Sequence, residues 1–328
     1  MKKYAYSSMF AQNIEGLIKE KKALGYKYEA EAAALKRFDD FCIKFQGDTN
    51  KLSKELVYAW NERQPHETQG NMNGRISIVR QLGKYMANLG YDAYVFPTRM
   101  HPKDAKYIPY IYSDEELIKF FKQVDACFYI SFAPTRHLVM PVLFRMLYGC
   151  GLRVSEALML KVKDVNLETG VLSIYNAKFD NDRLVPMHEE LTKHCKAYFK
   201  EVHVFSDNER YFFPSANDNP FTITNIYRNF RRFLWKARIS HGGRGKGPRV
   251  HDFRHTFAVH CLRRRVLEGK DLMVYLPVLK TYLGHNSFSD TSRYLRLTAD
   301  LFPNITAKMT TEYGRLIPEI KGDKYDPY

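Results

Sequence analysis

The sequence predicts a mainly helical protein in which an all-α helical bundle precedes an α+β domain with a small antiparallel β-sheet. Helical spacing of apolar residues dominates residues 8–89, whereas β-prone runs are confined to roughly residues 165–187. A proline-rich composition break lies between these regions. A length of 328 residues suits two domains, each large enough to bury a hydrophobic core.

The N-terminal domain, residues 1–97, is expected to be a bundle of about four helices. The first two lie within residues 8–45 and are separated by the tight connection Gly25–Tyr28. Ser53 has the character of an N-cap for a third helix. A fourth amphipathic run covers roughly residues 68–89 and ends before a glycine.

A basic linker is predicted at residues 98–109, where prolines and cations replace the helical pattern. The second domain is expected to span residues 110–316, and a flexible tail follows at 317–328. Ser113 is expected to cap the first helix of this domain, because a glutamate three residues later completes a capping box. The glycines of residues 149–160 predict a turn into a helix that starts near Ser155.

The small sheet is predicted from short β-prone runs separated by the turn Phe179–Asp182. Lys178 is placed near the tip of this hairpin, where its ordinary role would be that of a solvated turn lysine. Helices are expected to resume at Glu189. The segment Phe221–Ala237 alternates apolar and basic positions, which indicates an amphipathic helix.

The charge balance indicates a polyanionic partner. Lys and Arg number 51 against 36 Asp and Glu, a formal net charge of +15, which favours nucleic acid first and an acidic membrane surface second. Residues 228–265 hold 12 of these cations and a single acid, Asp252, so we expect a phosphate-facing surface there. The candidate contact residues are Arg228, Arg231, Arg232, Lys236, Arg244, Lys246 and Arg249.

The cysteine pattern indicates a reducing cytoplasm. The chain has five scattered cysteines without a CxxC pair, which argues against disulfides and zinc. Its basic N-terminus lacks the apolar run of a signal peptide, and no stretch of 18 apolar residues predicts a membrane span.

Several residues could act on a phosphodiester, although each has an ordinary structural interpretation. Tyr294 is one of 23 tyrosines, and a phenol with a pKa of about 10 needs nearby positive charge or a base to become a nucleophile. Arg153 could bind a phosphate oxygen or simply pair with Glu156. His251 and Arg254 are spaced to share one helix face, so that one phosphate could contact both.

The combination and order of these motifs are far more specific than any one of them. The chain contains, in order, GLRVSEAL with Arg153, the hairpin lysine, HDFRHTFA, LGHNS with His285, and Tyr294 nine residues later. Over roughly residues 110–310 this set resembles the tyrosine recombinase (phage integrase) family. The run YLPVLKTYLGHNSFSDTSRYL is more similar to recombinases of transposons and other mobile elements than to those that resolve chromosome dimers.

The resemblance implies a role for each matching residue. Tyr294 would attack the scissile phosphate to give a 3′-phosphotyrosyl bond and a free 5′-hydroxyl. Arg153 and Arg254 would bind the non-bridging oxygens of that phosphate. Lys178 would protonate the departing 5′-oxygen, although Lys161 and Lys163 lie nearby in the sequence. His251 would accept the proton of the nucleophile, and His285 would donate a hydrogen bond to the phosphate. Glu156 would orient a neighbouring side chain.

The family also implies a biological activity. The protein would be a site-specific DNA recombinase that integrates or excises a mobile element through a Holliday junction, as a homotetramer on two duplex sites. Residues 1–97 would form its core-binding DNA-binding domain, with accessory recombinases or a DNA-bending protein as further partners. Neither a cofactor nor a metal ion is expected, because the phosphotyrosine retains the energy of the broken bond and positive side chains can replace metal ions.

Two alternatives stay open from the sequence. A type IB topoisomerase that relaxes one duplex uses the same order of residues, and a DNA-binding regulator without catalysis could share the fold. The segment Leu301–Leu316 is expected to be a helix that docks either on a neighbouring subunit or on its own domain.

Overall fold

The computed structural model describes residues 4–46, 51–65, 67–98, 107–175, 182–204, 207–243 and 247–297. The chain divides into two compact units, Met1–Tyr107 and Ile108–Tyr328, and this division falls inside the predicted linker 98–109. Among the described residues, no helix is both long and apolar enough to cross a membrane.

The first unit is helical throughout its described core. Its helices are α1 (Ala11–Ala23), α2 (Glu29–Lys44), α3 (Lys54–Asn61) and α4 (Gln69–Asn88). The predicted cap of α3 is confirmed, since the Ser53 hydroxyl accepts the backbone N–H of Leu56. Buried apolar side chains from all these helices form one core, in which the rings of Phe38 and Trp60 meet edge to face at 5.3 Å.

The second unit contains the remaining described helices. They are α5 (Asp114–Asp125), α6 (Arg136–Gly149), α7 (Val154–Met159), α8 (Glu189–Val202), α9 (Ile223–Lys236), α10 (Asp252–Leu267), α11 (Leu272–Leu283) and α12 (Phe288–Ser292), with 3₁₀ helices at Val162–Asp164 and Arg293–Leu297. The capping box of Ser113 and Glu116 is confirmed at the start of α5. The helix after the glycine turn begins at Val154, one residue before the predicted start.

The predicted antiparallel sheet is confirmed. Its described strands are β1 (Val165–Asn166), β2 (Val171–Ile174) and β3 (Arg183–Pro186), in the order β1-β2-β3, with Leu172 opposite Val185. The tip of the β2–β3 hairpin, which includes Lys178, lies outside the described residues, as do the segment Leu301–Leu316 and the tail 317–328.

Aromatic packing fixes the start of α10 in the second unit. The ring of Phe253 lies 5.1 Å from Phe120 of α5, 6.0 Å from Phe144 of α6 and 5.8 Å from Phe230 of α9. All four side chains are buried. The next helical turns of α10 pack with α11 in a smaller apolar cluster that includes Tyr294. The aromatic cluster therefore fixes the start of α10, and the smaller cluster fixes Tyr294 against the rest of that helix.

Candidate active site

The carboxyl end of α11 is the point where the site is assembled. Its last carbonyl groups have no partner within the helix and form the negative end of the helix dipole, so they attract cations. Three successive carbonyls are each bound by a different arginine from elsewhere in the unit. The pairs are Arg183 Nε to Tyr282 O (2.9 Å), Arg254 Nη2 to Leu283 O, and Arg153 Nη2 to Gly284 O (3.3 Å).

Gly284 allows this arrangement because it ends α11 in the left-handed conformation, with φ of +64°. A Cβ atom added at this position would lie 3.0 Å from Nη1 of Arg183. Glycine thus lets the guanidinium pass against the backbone. His285, which follows directly, is directed into the site by the same turn.

Arg254 is the most deeply buried cation of the site, and only 1% of the residue is exposed. Besides its bond to α11, its Nη1 donates to the Gly151 carbonyl at 2.7 Å. Burial, and then the neighbouring charge of Arg153, lower its pKa to about 10. It remains a cation at neutral pH, and it fastens the turn before Arg153 to the end of α11.

Glu156 joins two of the arginines. Its carboxylate pairs with Arg153 at 2.7 Å and with Arg183 at 2.9 Å, and it also accepts the backbone N–H of Arg153. Burial alone would raise the pKa of this carboxyl, but the hydrogen bonds and charge of Arg183 outweigh it and the pKa is lowered. Glu156 is therefore an ionised bridge that fixes the direction of the Arg153 side chain.

Arg183 was not predicted from the sequence. It lies on β3 two positions before Val185, which is fully buried, so both side chains face the interior of the sheet. An arginine in register with an inward-facing valine was the available signal, because a buried guanidinium requires an anionic or carbonyl partner.

The imidazoles of the site are neutral at physiological pH. His251 is the N-cap of α10 rather than a residue of the helix, and its ring meets that of His255 edge to face at 4.8 Å. Burial, followed by the charges of nearby arginines, lowers the pKa of His251 to about 4 and that of His285 to about 3. His285 Nδ1 lies 2.8 Å from the Thr291 hydroxyl.

Tyr294 lies on the 3₁₀ helix that follows α12, and it is 1% exposed. Its hydroxyl is 3.0 Å from Nδ1 of His255, and its ring stacks at 6.0 Å on that of His285. Burial raises the pKa of the phenol, and the charge of Arg254 acts in the opposite direction. His255 is a second site residue that the sequence did not single out, although its spacing four residues after His251 placed it on the same side of α10.

The structure also locates the lysines considered beside Lys178. Lys161 pairs with Glu209 at 2.5 Å, and Lys163 pairs with the same carboxylate from the other side. Both lysines are partly exposed. Both lysines are thus paired with the exposed carboxylate of Glu209, whereas Lys178 lies outside the described residues.

Part of the predicted basic surface lies on α9. Arg228, Arg231 and Arg232 are exposed there, whereas Lys236 is half-buried with its ammonium 5.8 Å from the centre of the Phe128 ring. Arg249 is exposed just before α10, and Arg244 and Lys246 lie outside the described residues. The three exposed arginines of α9 lie on the side of the helix opposite its buried aromatic residues.

The chain is similar in sequence to known recombinases. Residues 115–300 match the model of the phage integrase family. The integrase/recombinase y4rB of Sinorhizobium fredii is 30% identical over 304 residues, which cover 90% of this chain and 95% of that protein. The tyrosine recombinase XerA of Pyrococcus furiosus is 30% identical over 201 residues, or 61% of each chain.

Solved structures show the same fold. A XerH site-specific recombinase bound to its palindromic difH substrate has a TM-score of 0.63 at 20% identity, covering 84% of this chain and 78% of that one. A Tn1549 transposon integrase in complex with transposon right end DNA has a TM-score of 0.60 at 18% identity, covering 91% and 98%. The chain belongs to the phage integrase family. Its enzyme class is that of the tyrosine-type site-specific recombinases.

Proposed function

We propose that Tyr294 is the nucleophile with which this recombinase cuts and rejoins DNA. The observation that carries the proposal is the position of Tyr294. Its hydroxyl is 3.0 Å from an imidazole nitrogen, and its ring stacks on His285, which directly follows the end of α11 where Arg153 and Arg254 are held. A phenol in such a setting can lose its proton as it attacks phosphorus. The product would be a 3′-phosphotyrosyl bond and a free 5′-hydroxyl.

The arginines fit the charge that develops during this reaction. As the phosphodiester becomes pentacoordinate its non-bridging oxygens gain negative charge, and guanidinium groups already fixed in place stabilise that charge without reorganisation. Arg153 and Arg254 are fixed in this way by Glu156 and by backbone carbonyls. The neutral imidazoles of His251 and His285 can each donate one hydrogen bond to the same phosphate.

Access to the site requires a rearrangement. Tyr294 and Arg254 are each 1% exposed in this conformation, so a phosphate cannot contact either group directly. We expect binding of the target duplex to open the face of α10 that carries them. Cleavage would then depend on assembly with DNA, which protects a recombinase from cutting at random.

The wider activity follows from the family and from charge. The XerH and Tn1549 proteins were solved with DNA, and this chain has a net charge of +15 together with the exposed arginines of α9. We infer that it binds duplex DNA with residues 1–97 and with α9, on the bacterial nucleoid. On two sites it would assemble as a homotetramer that integrates or excises a mobile element through a Holliday junction, with accessory recombinases or a DNA-bending protein as further partners.

The nucleophile is tested with Tyr294→Phe. The substrate is a duplex carrying the recombination site, to be sought as inverted repeats in the DNA around the coding sequence. Nicks at successive spacer positions let the cleaved fragment diffuse away, which traps the adduct. The wild-type protein should form an SDS-stable protein–DNA complex. The variant should shift the same duplex in a native gel but form no SDS-stable complex, because only the phenolic oxygen has been removed. A covalent complex that persists in Tyr294→Phe would overturn the proposal.

A supercoiled plasmid with two copies of the site separates the alternatives. A recombinase yields deletion or inversion products and Holliday intermediates, whereas a topoisomerase yields relaxed plasmid alone. A regulator without catalysis yields neither and leaves no adduct on the nicked duplex.

A further inference from the structure

We propose that His255 holds the hydroxyl of Tyr294 and accepts its proton when the phenolic oxygen attacks phosphorus. This inference rests on the proposed role of Tyr294 and adds a residue to it. His255 would be a catalytic residue in the strict sense, because its ring nitrogen contacts the reacting atom.

The hydrogen-bond geometry distinguishes His255 from the other histidines of the site. Its Nδ1 lies 3.0 Å from the Tyr294 hydroxyl, and the ring centres are 5.6 Å apart. The Nδ1 atom of His285 is engaged by the Thr291 hydroxyl, and the His285 ring packs against the face of the tyrosine ring rather than its hydroxyl. The resemblance assigns this proton to His251, whose ring instead meets the His255 ring edge to face. His255 is therefore the imidazole whose nitrogen faces the proton.

The packing of α10 keeps this contact in register with the phosphate site. His255 is 8% exposed and lies in the first turn of α10, one residue after Arg254, whose guanidinium is tied to backbone carbonyls on two other segments. The tyrosine ring packs on the next turns of the same helix, in a cluster with Ala258, Val259 and Leu262. One helix thus carries the group that would bind the phosphate, the group that contacts the nucleophile, and the surface on which the nucleophile packs.

The electrostatics suit a group that stays neutral until the phosphate arrives. Burial comes first, and the facing groups His251, Arg293, Arg254 and His285 add to it, lowering the pKa of His255 to about 3. The ring is therefore unprotonated at neutral pH, and in the tautomer with hydrogen on Nε2 its Nδ1 accepts from the phenol. A bound phosphate carries negative charge that offsets the arginines and favours the imidazolium.

The step balances without any further reactant. The Tyr294 O–H bond breaks and its proton goes to Nδ1 of His255. The freed electron pair forms the bond from oxygen to phosphorus, the bond between phosphorus and the 5′-oxygen breaks, and that oxygen takes a proton from the general acid, for which Lys178 is the candidate. Rejoining reverses each transfer and returns the proton from His255 to the phenol.

The test is His255→Asn, which can keep an oxygen acceptor near the position of Nδ1 but cannot take up a proton. On the nicked duplex we expect the rate of adduct formation to fall by about 10²–10⁴-fold, the usual loss when a positioned base is removed. Because hydroxide must then take the proton, the residual rate should rise about tenfold per pH unit between about pH 6 and pH 8.5. The wild-type rate should vary far less, because His255 is already in its basic form over that range.

His260→Asn is the matched control. His260 lies on the same helix, and its Nδ1 contacts the Tyr148 hydroxyl at the same 3.0 Å, but that tyrosine belongs to α6 and not to the segment that carries Tyr294. This variant should form the adduct at the wild-type rate, and both variants should shift the duplex in a native gel.

The outcomes are distinguishable. If His255→Asn cleaves at the wild-type rate with the wild-type pH profile, His255 is not the proton acceptor and the inference is wrong. If the rate falls but the pH profile does not change, the residue only positions the phenol and the proton transfer goes elsewhere. If the wild-type protein itself forms no adduct, it is the proposed function that fails.

Discussion

Each arginine of the site has a structural role as well as a chemical one. Arg254 uses two of its five N–H donors on the carbonyls of Gly151 and Leu283, which leaves donors on the same rigid fork for phosphate oxygens. A lysine could not do both, since its ammonium is a single point of charge on a flexible chain. The identity of this residue is therefore set by the fold and by the chemistry together.

The general acid can be identified by changing the leaving group. Lys178→Ala should lose cleavage of an ordinary duplex but recover it when sulfur replaces the bridging 5′-oxygen, because a thiolate leaves without being protonated. We expect a loss of about 10²–10⁴-fold on the ordinary duplex. The measurement is the rate of adduct formation on both substrates.

Lys161→Ala and Lys163→Ala are the controls for that experiment. Both side chains pair with Glu209, so neither variant should need the sulfur substrate. If one of these variants, and not Lys178→Ala, recovers cleavage only on the sulfur substrate, that lysine is the general acid.

The sequence singled out most of the residues that the structure brings together, but not their hydrogen bonds. Arg153, His251, Arg254, His285 and Tyr294 are brought together as expected, because strings such as HDFRHTFA and LGHNS have few other uses. Arg183 and His255 were missed because their local signals, an arginine two positions before a buried strand valine and a histidine four residues after His251, do not show which partner each side chain contacts. Their importance depends on contacts with residues 99 and 39 positions away, at Tyr282 and Tyr294.

Among the elements, the carboxyl end of α11 organises the site more than any strand or loop. Three successive carbonyls there are bound by arginines from β3, from α10 and from the N-cap position of α7. This helix end, which was not predicted from the sequence, is marked by Gly284 in the left-handed conformation. The pairing of α7 with β3 through Glu156 could not be read from the sequence, because the register of the sheet decides which face Arg183 occupies.

Gly284→Ala tests the importance of that helix end. A left-handed alanine costs about 1–2 kcal/mol, and here its methyl group would also displace Arg183, 3.0 Å away. We expect the free energy of unfolding to fall by more than the backbone cost alone, and the rate of adduct formation to fall with it. Urea denaturation and the nicked duplex measure the two effects.

Gly269→Ala provides the matched comparison. Gly269 follows α10 with φ of +71°, and a Cβ there would have open space around it. The free energy of unfolding of Gly269→Ala should fall only by the cost of a left-handed alanine, and its rate of adduct formation should not change. Equal losses in the two variants would mean that the contact of Arg183 with Gly284 contributes little.

At the scale of the whole molecule, the net charge of +15 should act through a surface rather than uniformly. The double variant Arg228→Gln/Arg231→Gln removes two exposed cations from α9, and Lys196→Gln/Lys200→Gln removes two from α8. Both lower the net charge by 2, from +15 to +13. We expect the α9 variant alone to reduce the slope of log affinity against log salt, by about 0.9 for each phosphate that the variant no longer neutralises.

Duplex binding measured across a salt series gives this slope directly. The same slope for both variants would show that total charge, and not the α9 surface, determines affinity.

The shared use of the arginines has a consequence for the mobile element that, under the proposed function, this enzyme would move, because copies of that element accumulate inactivating mutations. Loss of Arg254 would leave the buried carbonyls of Gly151 and Leu283 without their donors, a defect worth about 1–3 kcal/mol for each group. A copy inactivated at this residue would therefore be prone to unfolding and degradation as well as unable to cut. Few such copies would survive as folded proteins that occupy the recombination sites and block the active ones. An element that spreads by this enzyme would be spared inhibition by its own dead relatives.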